Sequence, residues 1–381
     1  MTELKNFLES KRLYYIFFFI LILLSFRNLF LPLQGDENTY NEIAVNILEG
    51  RYYQNNNPST VIPVIPFLMA FFSTPKFPVI GFALHKLFHI GLCIIGLRFA
   101  FLTFKKLSIE PRIIYSLLLL TSISSGFLSY VPGLYPEAIV FFSFWGFLYY
   151  FNEPKTFRNF KKLFFLIILL VFTRYVYAVL GILILMYYYT TFFNYKVNFY
   201  KIIIVSAILS APLLLWLKYI YNIESQSLSE ISYFNRFKSV DSPIWHNLKC
   251  GLGIEQHYET NRINGIPAFI SLFIPITGIR NYLISSFLIL AVFFGLYQNH
   301  KNKIVLNLLI AFSLVFLGLI FAGTGFSRYW FALLPIIYLS YYYVFLKFFK
   351  NLNYFLAITQ IISFILILNE IRLTFTILKK I

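Results

Sequence analysis

The sequence predicts an all-α polytopic membrane protein with about eleven transmembrane helices, the count bounded between nine and eleven. Three observations predict it. Of 381 residues, 59% are hydrophobic and only 12% are charged, and mean hydropathy is +0.73, a balance that excludes an ordinary soluble domain. Apolar runs near the length that crosses a bilayer recur from end to end. Lys and Arg gather in the short connections between those runs, so the formal charge of +17 is a topology signal rather than the footprint of nucleic acid. The 47 Phe and 29 Tyr are also what an AT-rich genome encodes, and they carry little functional weight.

The expected spans lie near 13–33, 78–103, 111–130, 135–152, 162–174, 175–193, 202–221, 281–298, 304–322, 329–346 and 354–371. The fifth and sixth are too short for two full crossings, so a tilted, broken or re-entrant pair is expected there. The first run is too long for a cleavable signal peptide, and no small-residue cleavage site follows it. Lys5, Lys11 and Arg12 precede it. Lys105, Lys106 and Arg112, then Lys155, Arg158, Lys161 and Lys162, then Lys196 and Lys201, Lys301 and Lys303, and Lys347 and Lys350 mark alternate connections. Those connections belong on the cytoplasmic side of a bacterial inner membrane. The whole chain, 1–381, reads as one membrane domain with two extracytoplasmic loops, 34–77 and 222–280. Five His and two Cys, without metal-ligand spacing, argue against a zinc site, and Cys93 and Cys250 against a disulfide framework.

The stretch from Gly35 to Gly50 organises the candidate chemistry. Asp36 and Glu37 open an amphipathic helix whose apolar positions Ile43, Ala44, Ile47 and Leu48 share one face, with Gly50 as its stop. Such a helix lies along the membrane surface. Asp36 at its start serves either as an N-cap or as a general base beside a lipid-linked substrate. Glu137, in Tyr135-Pro136-Glu137, sits where the third span turns into the fourth. It is a functional candidate because a carboxylate near lipid is costly without a partner, although a helix start also favours it. Arg174 and Arg328, each beside aromatic residues including Tyr329, fall on the outer side against the positive-inside trend, and guanidinium matches phosphate. Tyr40, Tyr135 and His257 are candidate substrate contacts. His246, His85 and Lys86 are weaker candidates. Arg27, deep in the first span, is also unusual and could instead snorkel outward.

These motifs resemble the GT-C superfamily of polytopic glycosyltransferases, on the branch of dolichyl-phosphate-mannose protein mannosyltransferases and aminoarabinose transferases. Gly35-Asp36-Glu37, followed by Tyr40, Ile43-Ala44 and Ile47-Leu48-Glu49-Gly50, is similar to the family's first acidic motif and juxtamembrane helix. Val61–Ala70 resembles its second juxtamembrane element and Tyr135-Pro136-Glu137 its second acidic motif. Thr173-Arg174 and Arg328-Tyr329-Trp330 with Pro335 resemble its later Arg elements. The resemblance implies a sugar donor on a polyprenyl phosphate, an acceptor hydroxyl on a glycan, lipid, teichoic acid or protein, and inversion at the anomeric carbon. It implies Asp36 as base, Glu37 and Glu137 as further catalytic carboxylates, and Arg174, Arg328 and Tyr329 as the lipid-phosphate site. No cofactor is implied, and a divalent cation is possible on two outer carboxylates but not required.

Two departures narrow the branch. The segment from Asn55 to Pro63 lacks the Lys followed by a Pro pair of aminoarabinose transferases, and no soluble domain follows the last span. Both argue against a lipid A aminoarabinose transferase and a long protein O-mannosyltransferase. A surface-polysaccharide polymerase or ligase is the nearest alternative. A flippase or transporter is the non-enzymatic one, and it predicts ionisable residues along mid-span rather than at one boundary.

Overall fold

The computed structural model describes residues 11–29, 31–53, 61–74, 76–124, 126–189, 196–226, 242–252, 254, 262–263, 266–267, 272–274, 281–323 and 326–379. These are helical almost throughout. Besides the connections, they include a two-residue antiparallel pairing of Arg262–Ile263 with Ile266–Pro267. In order the helices are α1 Lys11–Ser25, α2 Asp36–Leu48, α3 Val64–Phe72, α4 Pro78–Lys105, α5 Pro111–Ile123, α6 Glu137–Phe151 and α7 Phe157–Thr173. They continue with α8 Tyr175–Tyr189, α9 Lys196–Gln226, α10 Pro243–Gly251, α11 Tyr282–Gln298 and α12 Lys303–Phe321. The last two are α13 Ser327–Phe349 and α14 Leu352–Leu378. Among the described residues five helices are long and apolar enough to cross a membrane: α4, α9 (from Phe199), α12, α13 and α14. The described residues are those of a predominantly helical protein with apolar helices that suit a membrane.

Local sequence sets the helix ends. Pro78 and Pro111 stand in the first turns of α4 and α5, where a missing N–H costs nothing. Thr156, Asn281, Asn302 and Asn351 cap α7, α11, α12 and α14 with side-chain oxygens. The third apolar run, expected as one span over 111–130, is broken instead. α5 stops at Ile123, and Gly126 takes φ +80° before a single turn, Phe127–Tyr130, because no side chain tolerates that backbone easily. The expected break between the fifth and sixth runs falls at Arg174, which is extended at φ −152° and ψ 107°. α8 then starts as a 3-10 helix and ends as a π-helix.

Packing centres on α6, which lies against α4 and α7 and buries Phe141, Phe144, Trp145 and Phe147 completely. The Trp145 indole N–H donates to the Ala332 carbonyl at 3.0 Å and ties α6 to the start of α13. At one end of the bundle the basic connections meet. Lys106 Nζ lies 2.7 Å from Glu153 Oε1, Lys155 Nζ donates to the Tyr187 carbonyl at 2.8 Å, and Asn307 donates to Asn152 at 2.7 Å. At the opposite end α2 and α3 pack on each other through Tyr40, Ala44, Ile65 and Met69, with Leu134 and Ile139 beneath. Ile43 joins a second cluster with Tyr52, Tyr53, Trp216 and Ile220. α2 therefore rests on both α6 and α9. Ile43 and Ala44 are buried as the helical pattern requires and Ile47 packs against both clusters, but Leu48, expected on the same face, is exposed.

For Arg27 the structure selects between the readings the first span leaves open. The side chain does not snorkel. Its guanidinium is buried against Glu370 Oε2 at 2.8 Å and donates to the Glu370 carbonyl and to Thr374 Oγ1, which fastens α14 to the end of α1. A carboxylate one helix away offers a shorter route to neutrality than the water boundary.

Candidate active site

Four segments far apart in sequence bring alternating charges together at the α2 end of the bundle. Asp36 is the first residue of α2, Glu137 the first of α6, Arg174 the residue after α7, and Arg328 the second residue of α13. Arg328 Nη2 is ion-paired with Asp36 Oδ2, and its Nε lies 3.8 Å from Glu137 Oε1. Arg174 Nη2 donates to the same Glu137 oxygen at 2.7 Å. The order in space is therefore Asp36, Arg328, Glu137, Arg174, two carboxylates alternating with two guanidiniums.

Burial grades the four. The Glu137 side chain is 2% exposed, those of Arg328 and Arg174 are 12% and 13%, and that of Asp36 is 48%. Asp36 is the member that water reaches. Its carboxylate does not cap its own helix: Gly35 occupies the N-cap, at φ +53°, and no side-chain cap bond forms. The inner members carry polar atoms with no hydrogen-bond partner among the described residues, namely Glu137 Oε2, Arg174 Nε and Arg328 Nε. Leaving such atoms unpaired costs about 1–3 kcal/mol each, so these donors and this acceptor are open to a further partner.

Aromatic rings wall the cluster. The Arg174 guanidinium lies 3.5 Å from the centroid of the Tyr329 ring. Arg328 sits 5.1–5.7 Å from the rings of Tyr135, Phe326, Tyr329 and Tyr130. Tyr177, fully buried, donates its hydroxyl to the Tyr329 carbonyl at 3.1 Å. Tyr40 is buried within the electrostatic reach of all four charges. Burial pushes its phenol well above the ordinary range, with Arg174 pulling the other way, so it stays neutral at physiological pH.

Glu37 stands apart from these ion pairs. It is buried, and both oxygens accept backbone N–H groups, from Gln34 at 2.9 Å and from Leu134 at 2.8 Å. Sequence proximity to Asp36 suggested shared chemistry. The geometry instead makes Glu37 a brace between the start of α2 and the turn before α6, because adjacent residues on a helix point about 100° apart. Tyr135 strengthens that brace by donating to the Gln34 carbonyl at 2.9 Å. Lys86 reaches the carbonyls of Asn28 and Leu31 at 2.8 and 2.9 Å, and His89, which the sequence did not single out, holds the Gly133 carbonyl at 2.6 Å. His85 stacks on Phe72, centroids 5.1 Å apart, and is no part of the cluster. His246 meets Cys250 Sγ within α10 at 3.6 Å. His257 lies outside the described residues. Tyr130, Phe326 and Tyr177 also escaped the sequence reading, because an aromatic residue among so many carries no signal of its own.

An apolar groove of about 360 Å³ opens between α1, α4 and α5. It starts at Val131 and Pro132, on the turn that leads to Tyr135 and Glu137. It runs past Leu21, Ile94 and Leu118 towards Tyr15 and Arg98. Among the described residues no three His, Cys, Asp or Glu side chains gather as a metal site. No family model, curated protein or solved structure matches the chain.

Proposed function

We propose that this protein is a GT-C-type glycosyltransferase that moves a sugar from a polyprenyl-phosphate donor to an acceptor hydroxyl on the extracytoplasmic face of a bacterial inner membrane. The observation that carries the proposal is the alternating cluster. It joins a half-exposed carboxylate to two buried guanidiniums with unused donor atoms, at the end of the bundle away from the Lys-rich turns. Eleven crossings follow if α1, α5, α6, α7, α8 and α11 cross beside the five longer helices. The basic turns then face the cytoplasm.

In this reading the lipid phosphate sits on Arg174 and Arg328, and the hydrocarbon chain follows the apolar groove from Pro132. Asp36 takes the proton of the acceptor hydroxyl as its oxygen attacks the anomeric carbon. The bond from that carbon to the phosphate oxygen breaks, and polyprenyl phosphate leaves with the electron pair. Charge grows on the phosphate as the bond breaks, and guanidiniums already fixed by Glu137 and Tyr329 meet it without reorganising. The neutral Tyr40 is a hydrogen-bond donor for a sugar or phosphate oxygen. The mechanism needs no nucleotide sugar.

The test is sugar transfer from radiolabelled polyprenyl-phosphate sugars to membrane extract, with wild type and Asp36→Asn at matched folded amounts. Transfer falling by about 10²-fold or more in the variant is the expected result for loss of a general base. Equal transfer by both proteins would remove Asp36 from the chemistry. Absence of transfer from every donor, with lipid-linked glycan accumulating in a deletion strain, would favour a polymerase or flippase.

A further inference from the structure

We infer that Asp36 and the donor phosphate exchange on Arg328, so that arrival of the donor releases the base. The inference rests on the glycosyltransferase reading and concerns the order of events at the same site. With both pairs made, the cluster is electrically neutral: two carboxylates and two guanidiniums. A phosphodiester brings one negative charge into a partly dry site, and that charge is tolerated only where a guanidinium gives up a carboxylate.

Burial decides which carboxylate yields. Glu137 is almost fully enclosed, holds Arg174 at 2.7 Å and starts a helix whose dipole favours it. Moving it would leave a buried cation without a partner. Asp36 is half-exposed, and the ion pair with Arg328 is what ties its carboxylate down. Rotating its side chain returns the carboxylate to water at little desolvation cost. The backbone need not follow, because Glu37 pins the start of α2 through Gln34 and Leu134.

The exchange has an order built into it. The Asp36 carboxylate is occupied by Arg328 until the donor phosphate takes its place, and only then is it free to meet the acceptor hydroxyl, so donor binds before acceptor.

The experiment is equilibrium binding of polyprenyl monophosphate to the full-length protein in phosphatidylcholine nanodiscs. It compares wild type, Asp36→Asn, Arg328→Gln and the double variant, with matched melting temperatures. Competition predicts that Asp36→Asn binds the phosphate more tightly, by about fivefold or more, the scale of one partly exposed ion pair. The gain should vanish in the Arg328→Gln background. Unchanged or weaker binding by Asp36→Asn would overturn the exchange while leaving the transfer reaction standing. A gain that persists without Arg328 would also overturn it, since the competition would lie elsewhere. Absence of binding by folded wild type and Asp36→Asn alike would sink the carrier-lipid reading and the exchange with it.

Discussion

At the scale of single residues, what separates Asp36 from Glu37 is where each side chain is used. Glu37 spends both oxygens on backbone N–H groups, whereas Asp36 keeps contact with water and faces a guanidinium. Two adjacent carboxylates thus divide into one held by backbone N–H groups and one paired with a guanidinium at the water boundary. Arg174 is the residue whose loss is expected to act most selectively on catalysis. It is fixed by Glu137 and by the Tyr329 ring, so in the proposed reaction it would meet charge as the charge develops. Arg174→Gln should lower kcat by about 10²–10³-fold with a smaller change in KM, read from transfer kinetics. Arg174→Lys should recover only part of it, since an ammonium lacks the planar fork that bridges carboxylate and phosphate. A change confined to KM would reduce Arg174 to uniform binding.

At the scale of elements, the site depends on α2 staying docked against the turn before α6. Glu37 and Tyr135 make that junction with side-chain bonds to backbone groups, and from α4 Lys86 holds the segment before α2 and His89 the turn before α6. Glu37→Ala leaves the buried N–H of Leu134 unpaired, along with that of Gln34. It should cost about 1–3 kcal/mol for an orphaned buried donor, measured as a lowered melting temperature in nanodiscs. Transfer should fall with it, in proportion to lost docking. Glu37→Gln, which keeps one acceptor oxygen, should recover part of the stability. Full transfer by a stable Glu37→Ala protein would show that the docking is not needed. The extended residue at Arg174 plays the complementary part from the other side: by ending α7 there, it turns the side chain towards Glu137 rather than into the lipid.

At the scale of the whole molecule, first and last helices are joined by the buried Arg27–Glu370 pair. Removing one partner leaves a buried charge. Arg27→Leu alone should therefore destabilise by about 3–5 kcal/mol, whereas the double change Arg27→Leu, Glu370→Leu should be close to neutral. Thermal unfolding of the three proteins in nanodiscs gives the comparison, and equal loss in single and double variants would show that packing rather than charge matters there. The same pair explains why one span alone could not place Arg27: its partner lies 343 positions further along the chain.

By itself the sequence determined the all-helical, membrane-embedded class, because apolar content, run length and the punctuation of Pro and Asn are local properties. It also marked Asp36, Glu137, Arg174 and Arg328 as charges out of place near lipid, since such charges are costly wherever they stand. Only the tertiary structure decided how they pair. It gave Glu37 two backbone donors, joined Arg27 to Glu370, split the third apolar run at Gly126, and set Asp36 on Arg328. The physical reason is that an ion pair or a buried backbone acceptor depends on distances between segments that helical periodicity does not encode. What a charge costs is written in its neighbours along the chain, but what satisfies it comes from neighbours in space.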